Sequence, residues 1–323
     1  MVSSDKSHPL KSLRRLPERE KPPASARILD SWLAALQTET QQAVSRLGWL
    51  VGATVVIAVL QRVVDDEGLP VFVVKGGTSL QIQLGDIGRL TRDLDGIVRG
   101  HSFQDFLRQV DEVIAEPWGP ISLRRAKGRL LDVGPLAIPL FRFDVLLTIR
   151  GRTWRRIPVE LSMAAGLEGR TLDRVHAPPL WGLGLPTPQS IFALSMSCQI
   201  AQKIHAATAP HRPPGMRNDR FRDVIDLVLL RRVMATAGEP SRRDVLEALQ
   251  DVFKTRAEIA HSRHLPPRQF PPVFIPWPHW TVSFDRAISE ANLSGSLEEL
   301  CDELNVWIQE IVSADEYPTP ANL

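Results

Sequence analysis

Cysteine is scarce in this chain, which has 323 residues and only two cysteines, Cys198 and Cys301. Their spacing does not match a metal site, and two cysteines cannot build a disulfide framework, so the composition fits a reducing compartment. Long apolar runs are also missing: no stretch of about eighteen apolar residues occurs, and the polar N-terminal segment lacks the apolar core of a signal peptide. We therefore expect a soluble, cytoplasmic protein that does not enter a membrane.

A large excess of one charge is absent as well, because the formal net charge is only +2. The chain is not basic overall, yet its arginines are unevenly spread. Three basic clusters stand out: Arg124, Arg125, Lys127 and Arg129; Arg150, Arg152, Arg155 and Arg156; and Arg212, Arg217, Arg220 and Arg222. Such clusters either form local phosphate-binding faces or are solvated loops and helix faces.

The amount of apolar sequence is sufficient for a sizeable core. With 43% hydrophobic and 24% charged residues, the chain suits one large domain or two modest ones. We predict a flexible basic arm over residues 1–26, a domain over 27–170 that begins with helices, and a helical domain over 171–323. The last of these contains a proline- and aromatic-rich segment around Phe274, Trp277 and Trp280.

Hydrophobic periodicity predicts the elements of an α+β protein. Two helices are expected between residues 26 and 65, then a buried strand over Val71–Val74 and a short helix over Thr78–Leu84, with Thr78 as its N-cap. The further predicted strands are one around Leu94–Val98, Ile121–Arg125, Leu140–Ile149 and Ile157–Leu161. The further predicted helices are Ser102–Ile114, Ser190–Ala209, Asp219–Met234, Ser241–Val252 and Leu297–Val312.

The most informative feature is the glycine pair Gly76-Gly77, which follows the first buried strand and is continued by Thr78. A tight glycine turn after a strand can bring backbone N–H groups against a phosphate. Asp93 and Asp95 then stand two residues apart on the second strand, so their side chains point to one face. Two carboxylates on one face favour a bound divalent cation.

Three further charged positions extend this pattern along the chain. Asp144 lies inside an apolar strand, where a carboxylate is costly to bury without a partner, so we name it as the third metal ligand. Lys203, on a predicted helix, is the candidate to reach the phosphates of a nucleotide. Asp223 can orient Lys203, or a nearby arginine, through a charge-assisted hydrogen bond. Asp226 is interpreted as a structural partner for an arginine and as a second claimant for completing the site.

These residues, in this order, resemble the AbiEii/AbiGii toxin family of nucleotidyltransferases, within the DNA polymerase β-like superfamily. The resemblance covers about residues 50–235 and rests on Val74-Lys75-Gly76-Gly77-Thr78, on Arg89-x-Thr91-x-Asp93-Leu94-Asp95, on Phe143-Asp144-Val145, on Lys203 and on Arg222-Asp223-Val224-Ile225-Asp226-Leu227. It implies a mixed-sheet, polymerase β-like nucleotidyltransferase domain followed by a mainly helical domain. It also implies a type IV toxin with a cognate antitoxin encoded nearby, which transfers a nucleotide to RNA and blocks translation, with the 3′ acceptor end of tRNA as the expected acceptor.

The resemblance also assigns roles. Gly76, Gly77 and Thr78 are expected to approach the triphosphate of an NTP, together with Lys203. Asp93, Asp95 and Asp144 are expected to hold Mg²⁺, or Mn²⁺ in its place, while Asp93, Asp95, Lys203 and Asp223 form the catalytic set.

Two alternatives stay open at the level of sequence. The same chemistry can act on a protein or a small molecule instead of RNA. A non-catalytic module that binds an operon partner is the other alternative, with the acids as structural groups and the segment around Trp277 as an interface.

Overall fold

A computed structural model describes residues 13–14, 16–40, 44–84, 91, 93–131, 139–213, 217–291 and 293–315. Half of the predicted 1–26 arm lies outside these ranges, as do Arg89 and Arg92 of the acidic motif. The chain forms two compact units, one of Met1–Ala164 with Leu172–Leu194, the other of Ala165–Thr171 with Ser195–Leu323. Among the described residues, none of the helices combines the length and the apolar character needed to cross a bilayer.

The first unit contains four helices and a mixed eight-stranded sheet within its described part. The helices are α1 (Ala26–Thr40), α2 (Val44–Leu60), α3 (Gly76–Leu84) and α4 (Phe103–Val113). The strands are β1 (Phe72–Val74), β2 (Leu94–Val98), β3 (Ile121–Arg125), β4 (Arg129–Leu131), β5 (Leu140–Ile149), β6 (Arg152–Met163), β7 (Leu172–Val175) and β8 (Ile191–Leu194). Their order in the sheet is β3-β5-β6-β2-β1-β8-β7, with β4 paired to β5.

The centre of the sheet is formed by short apolar strands. β1 is fully buried, and it pairs antiparallel with β2 and parallel with β8. β2 pairs parallel with β6, which in turn pairs antiparallel with β5. α2 is almost entirely buried, as expected for a helix that is apolar on most sides and lies in a core.

The second unit is helical in its described part. Its α-helices are α5 (Met196–Ala207), α6 (Phe221–Ala237), α7 (Arg242–Ser262), α8 (Thr281–Glu290) and α9 (Leu297–Val312). Ser195, Ser241 and Ser296 are the N-caps of α5, α7 and α9, and the last two form capping boxes. α5 packs against α6 and α7, and α9 packs against α6 and α7 from its buried apolar face.

The mixed α+β architecture that the sequence predicts is confirmed, and three of its details are wrong. The predicted helix over Ser190–Ala209 is a strand, β8, followed by a helix that begins at Met196. Pairing of Ala193 with Val74 holds β8 in the sheet, and the side chain of Gln61 exchanges two hydrogen bonds with the backbone of Phe192. β4 and β7 were not predicted, and neither was α8, which follows directly on the proline-rich segment.

Candidate active site

The turn between β1 and α3 is shaped by Gly76. Its φ of +66° lies in the left-handed region, where side chains other than glycine are strained. A Cβ at this position would lie 2.6 Å from Oδ2 of Asp95, so only glycine leaves room for that carboxylate. The Lys75 N–H donates to the Asp95 carbonyl at 2.9 Å and fixes the two segments side by side. The Asp95 carboxylate therefore lies against the start of α3.

The next two residues hold the other acid of the pair. A Cβ at Gly77 would lie 3.0 Å from Cβ of Thr91. Thr78 Oγ1 donates to the Asp93 carbonyl at 3.0 Å, and Thr91 Oγ1 donates to the same oxygen at 3.2 Å. The prediction of Thr78 as an N-cap is wrong, because α3 begins two residues earlier and the Thr78 hydroxyl serves this long-range bond. The first-turn N–H groups of α3 remain the backbone donors suited to a phosphate.

A row of charged side chains crosses the sheet beside this turn. Asp95 in β2 is in register with Glu160 in β6, and Glu160 is in register with Arg142 in β5. Residues opposite one another on adjacent strands project from the same face, so the three side chains are neighbours. Arg142 Nη1 lies 3.0 Å from Glu160 Oε1, and its Nη2 lies 3.4 Å from Asp93 Oδ1. Two carboxylates thus converge on one positive charge.

Asp144 lies farther from the acidic pair than Glu160 does. It is on β5, opposite Pro158 of β6, so a whole strand separates it from β2. Its carboxylate forms an ion pair with Arg156, and this hydrogen bond and charge raise the pKa of the Arg156 guanidinium. The structure therefore brings Glu160, rather than Asp144, beside Asp95.

Within the described ranges, no three histidine, cysteine or acidic side chains lie close enough together to hold a metal ion. The predicted set of Asp93, Asp95 and Asp144 is accordingly not assembled in this conformation. The donor chemistry nevertheless suits a hard cation, because Asp93 and Glu160 both offer carboxylate oxygens to the same guanidinium. The positive charge of Arg142 already lies between these two carboxylates.

Lys75 is a further charged residue on this face. It belongs to the Val74-Lys75-Gly76-Gly77-Thr78 motif, which predicted no role for it. Its Nζ lies 2.7 Å from Oγ of Ser162, and Ser162 stands two residues beyond Glu160 on β6. Because side chains alternate along a strand, Ser162 and Glu160 share a face. The Lys75 ammonium is therefore on the same side of the sheet as the acids.

The second unit brings Lys203, Asp223 and Asp226 together. Lys203 Nζ donates to Asp223 Oδ1 at 2.8 Å and to Asp226 Oδ2 at 2.7 Å. The side chains of Lys203 and Asp223 are each 9% exposed and that of Asp226 is 2% exposed. A buried lysine with two carboxylates is held in one orientation. The sequence left open whether Asp223 or Asp226 completes the site, and the structure pairs Lys203 with both.

The glycine turn with adjacent carboxylates is a face suited to phosphate and cation binding, as nucleotide-transferring enzymes require. A family model, the nucleotidyl transferase AbiEii toxin of type IV toxin–antitoxin systems, matches residues 58–313. The chain belongs to this family, as the sequence motifs predicted. The fold is thus that of a nucleotidyltransferase, and an antitoxin is the partner that such a toxin–antitoxin system contains.

Several solved structures are similar to this chain, among them these two. One is the MenT4 nucleotidyltransferase toxin of Mycobacterium tuberculosis H37Rv, at 15% identity and a TM-score of 0.47, over 88% of this chain and 98% of that one. The other is the antibiotic-resistance factor ANT(2'')-Ia, at 14% identity and a TM-score of 0.32, over 67% of this chain and 95% of that one. No curated protein sequence matches. The family assignment rests on the family model.

Proposed function

We propose that this protein is a cytoplasmic, metal-dependent toxin that transfers a nucleoside monophosphate from an NTP to RNA, with the 3′ acceptor end of tRNA as the acceptor. Modification of that end would block aminoacylation and stop translation. The observation that carries the proposal is the approach of the Asp95 carboxylate to Gly76 at the start of α3. It sets an acid beside the backbone donors that a triphosphate needs.

In this proposal Asp93, Asp95 and Glu160 are the residues that would hold Mg²⁺, or Mn²⁺, which would neutralise the charge that develops on the triphosphate. The three carboxylates would have to draw closer together than they are in this conformation. Glu160 takes the place that the sequence gave to Asp144, because its strand adjoins β2. Arg142 would have to release Asp93 and Glu160 for these carboxylates to hold such a cation. Since Arg142 and Asp93 have side chains 39% and 46% exposed, their ion pair contributes only about 0–1 kcal/mol and is readily exchanged.

The remaining roles follow the same chemistry. Gly77 and Thr78 offer backbone N–H groups to the phosphates, while Thr78 also holds the Asp93 backbone in place. Lys203 contacts the triphosphate, and Asp223 orients the ammonium group through the bond at 2.8 Å. The nucleotide substrate and a nearby antitoxin partner complete the assignment.

The test is a labelling assay. The full chain is incubated with Mg²⁺, total tRNA and each of the four labelled NTPs in turn, and we expect label on RNA with at least one NTP. Asp93→Asn should abolish labelling, whereas Asp66→Asn, which alters an exposed carboxylate of the same unit, should leave it unchanged. Absence of label on RNA with every NTP, or label on a protein band instead, would contradict the RNA proposal. Equal labelling by the Asp93→Asn variant would contradict the site.

A further inference from the structure

The connection between α5 and α6 is fixed around one buried residue, Asn218. Its side-chain amide donates to two carbonyls at the end of α5, at 2.9 and 2.7 Å. The backbone carbonyl of Asn218 accepts a hydrogen bond from Trp280 Nε1 at 2.7 Å and lies 2.7 Å from His279 Nε2. Its N–H donates to His211 Nδ1 at 3.1 Å. The loop and the proline-rich segment are therefore joined at this point.

Three aromatic rings lie together at this junction. The His211 and His279 rings stack with their centroids 4.0 Å apart and their planes 21° from parallel. The Trp277 ring is 5.2 Å from His211. All three residues are half-buried, so none of them lies in the core. We call these three residues the aromatic shelf.

Four arginines follow His211 in the connection and in the first turn of α6. Arg212, Arg217, Arg220 and Arg222 are all exposed. In the described part of the connection, the one carboxylate among them is Asp219, which pairs with Arg217 at 2.9 Å.

The charge of Arg217 reaches the shelf itself. The pKa of His211 is lowered by desolvation and then by the charges of His279 and Arg217. Asp219 acts on His211 in the opposite direction, and its Oδ1 lies 3.5 Å from His279 Nε2. The arginines still outnumber this exposed carboxylate, on a chain whose net charge is only +2.

This surface adjoins the lysine of the second unit. Arg220 donates its N–H to Asn218 Oδ1 at 3.0 Å, and its guanidinium Nη1 lies 3.9 Å from Asp223 Oδ2. Asp223 is in turn bonded to Lys203 at 2.8 Å. One continuous set of contacts therefore leads from the surface arginines to the buried Lys203.

We propose that the aromatic shelf and Arg212, Arg217 and Arg222 bind a single-stranded segment of the RNA acceptor. Bases would stack on Trp277 and His211, and the arginines would contact the phosphates that connect them. Stacking platforms within a basic surface are the common device for holding unpaired RNA. The choice of RNA as the partner rests on the proposed function. The location of the surface rests on the contacts above.

The first experiment measures RNA affinity against salt. A fluorescent single-stranded oligoribonucleotide and intact tRNA are titrated with the full chain between about 50 and 200 mM salt, where phosphate contacts dominate affinity. Substitution of Arg212, Arg217 and Arg222 by alanine should flatten the slope of log K against log salt by about 2, since each contact to single-stranded RNA contributes about 0.7. The matched control replaces three exposed arginines elsewhere in this unit: Arg232, Arg242 and Arg243.

The second experiment tests the aromatic shelf. Trp277→Ala should weaken RNA binding at least about five-fold, since a base–aromatic stack is worth about 1–3 kcal/mol, while Trp277→Phe should retain most of the affinity. Hydrogen exchange of α5 and α6 in each variant shows that the unit keeps its fold.

The outcomes separate the two proposals. If wild-type protein labels RNA but the triple-arginine variant binds with unchanged affinity and salt slope, this surface is wrong and the proposed function stands. An equal loss in the control variant likewise overturns the surface. If the wild-type protein neither binds nor labels RNA, both proposals fail.

Discussion

The buried lysine of the second unit yields the sharpest prediction, since removing its charge takes the ammonium group away from two buried carboxylates. Asp223 and Asp226 each accept a bond from Lys203, and all three side chains are at most 9% exposed. Breaking a buried ion pair by removing one partner costs about 3–5 kcal/mol. Arg220 offers little relief, because it lies 3.9 Å away with a side chain 66% exposed. We therefore expect Lys203→Met to lower the free energy of unfolding of this unit by about 3–5 kcal/mol.

The magnitude can be checked with a second substitution. Asp226→Asn leaves Lys203 paired with Asp223 as a neutral pair of similar shape, so the loss should be about 1 kcal/mol or less. Adding Asp226→Asn to Lys203→Met removes one of the two buried negative charges that have lost the Lys203 ammonium. The double variant should therefore be more stable than Lys203→Met alone. This order is opposite to the order expected if each substitution removed an independent contact.

Hydrogen exchange is the suitable measurement, because a protein of two compact units need not unfold in a single step. Peptides from α5 and α6 should exchange about a hundred-fold faster or more in Lys203→Met, while peptides from α2, in the other unit, should be unaffected. Unchanged exchange in α5 and α6 would refute the reasoning. Loss of transferase activity without that acceleration would place Lys203 in substrate contact alone, and Lys203→Arg would then report whether the charge suffices.

Three other predictions follow from single positions. Gly76→Ala should abolish labelling of RNA, while Gly68→Ala, at a similar positive φ but with open space around it, should cost only the backbone strain of about 1–2 kcal/mol and keep activity; equal activity in both variants would contradict the close approach at Gly76. Glu160→Gln should reduce the rate of nucleotide transfer far more than Asp144→Asn, and the reverse order would restore Asp144 as the metal ligand. Burial lowers the pKa of His205 to about 2, so from about pH 6.5 down to about pH 2 the unfolded chain binds a proton at this residue that the folded chain does not. By pH 5 this difference should lower the free energy of unfolding by about 2 kcal/mol. Denaturation of His205→Phe should therefore show that much less loss of stability in acid.

Elements set by local pattern were predictable from the sequence. The bounds of α9, Leu297–Val312, are those predicted, and Ser102 caps α4 where the periodicity begins. Each of these helices has a serine N-cap and a clear apolar stripe, so neighbours in sequence decide the structure. The prediction for β8 was wrong for the opposite reason. Its four residues continue the apolar pattern of α5, and they form a strand because they pair with β7 and with β1, the latter more than a hundred residues earlier.

The same reason explains why Glu160 was missed. It stands between Val159 and Leu161 in a predicted strand, which is the signal that singled out Asp144 between Phe143 and Val145. The pattern therefore identified two strands that each contain an acid. Strand order decides which of them adjoins the acidic pair, and strand order depends on pairings over long distances in sequence.

The basic side chains of the sheet explain how Asp93, Asp95 and Glu160 can share one face. Asp95 and Glu160 are opposite one another on adjacent strands, a placement of like charges that is destabilising by itself. Arg142 bonds to Glu160 from one side, and Lys75 lies on the same face from the other. The Arg142 side chain is 39% exposed, so its ion pairs rather than deep burial hold this cation in place. The ion pairs of Arg142 are therefore weak enough for the divalent cation that we propose to replace this guanidinium at Asp93 and Glu160.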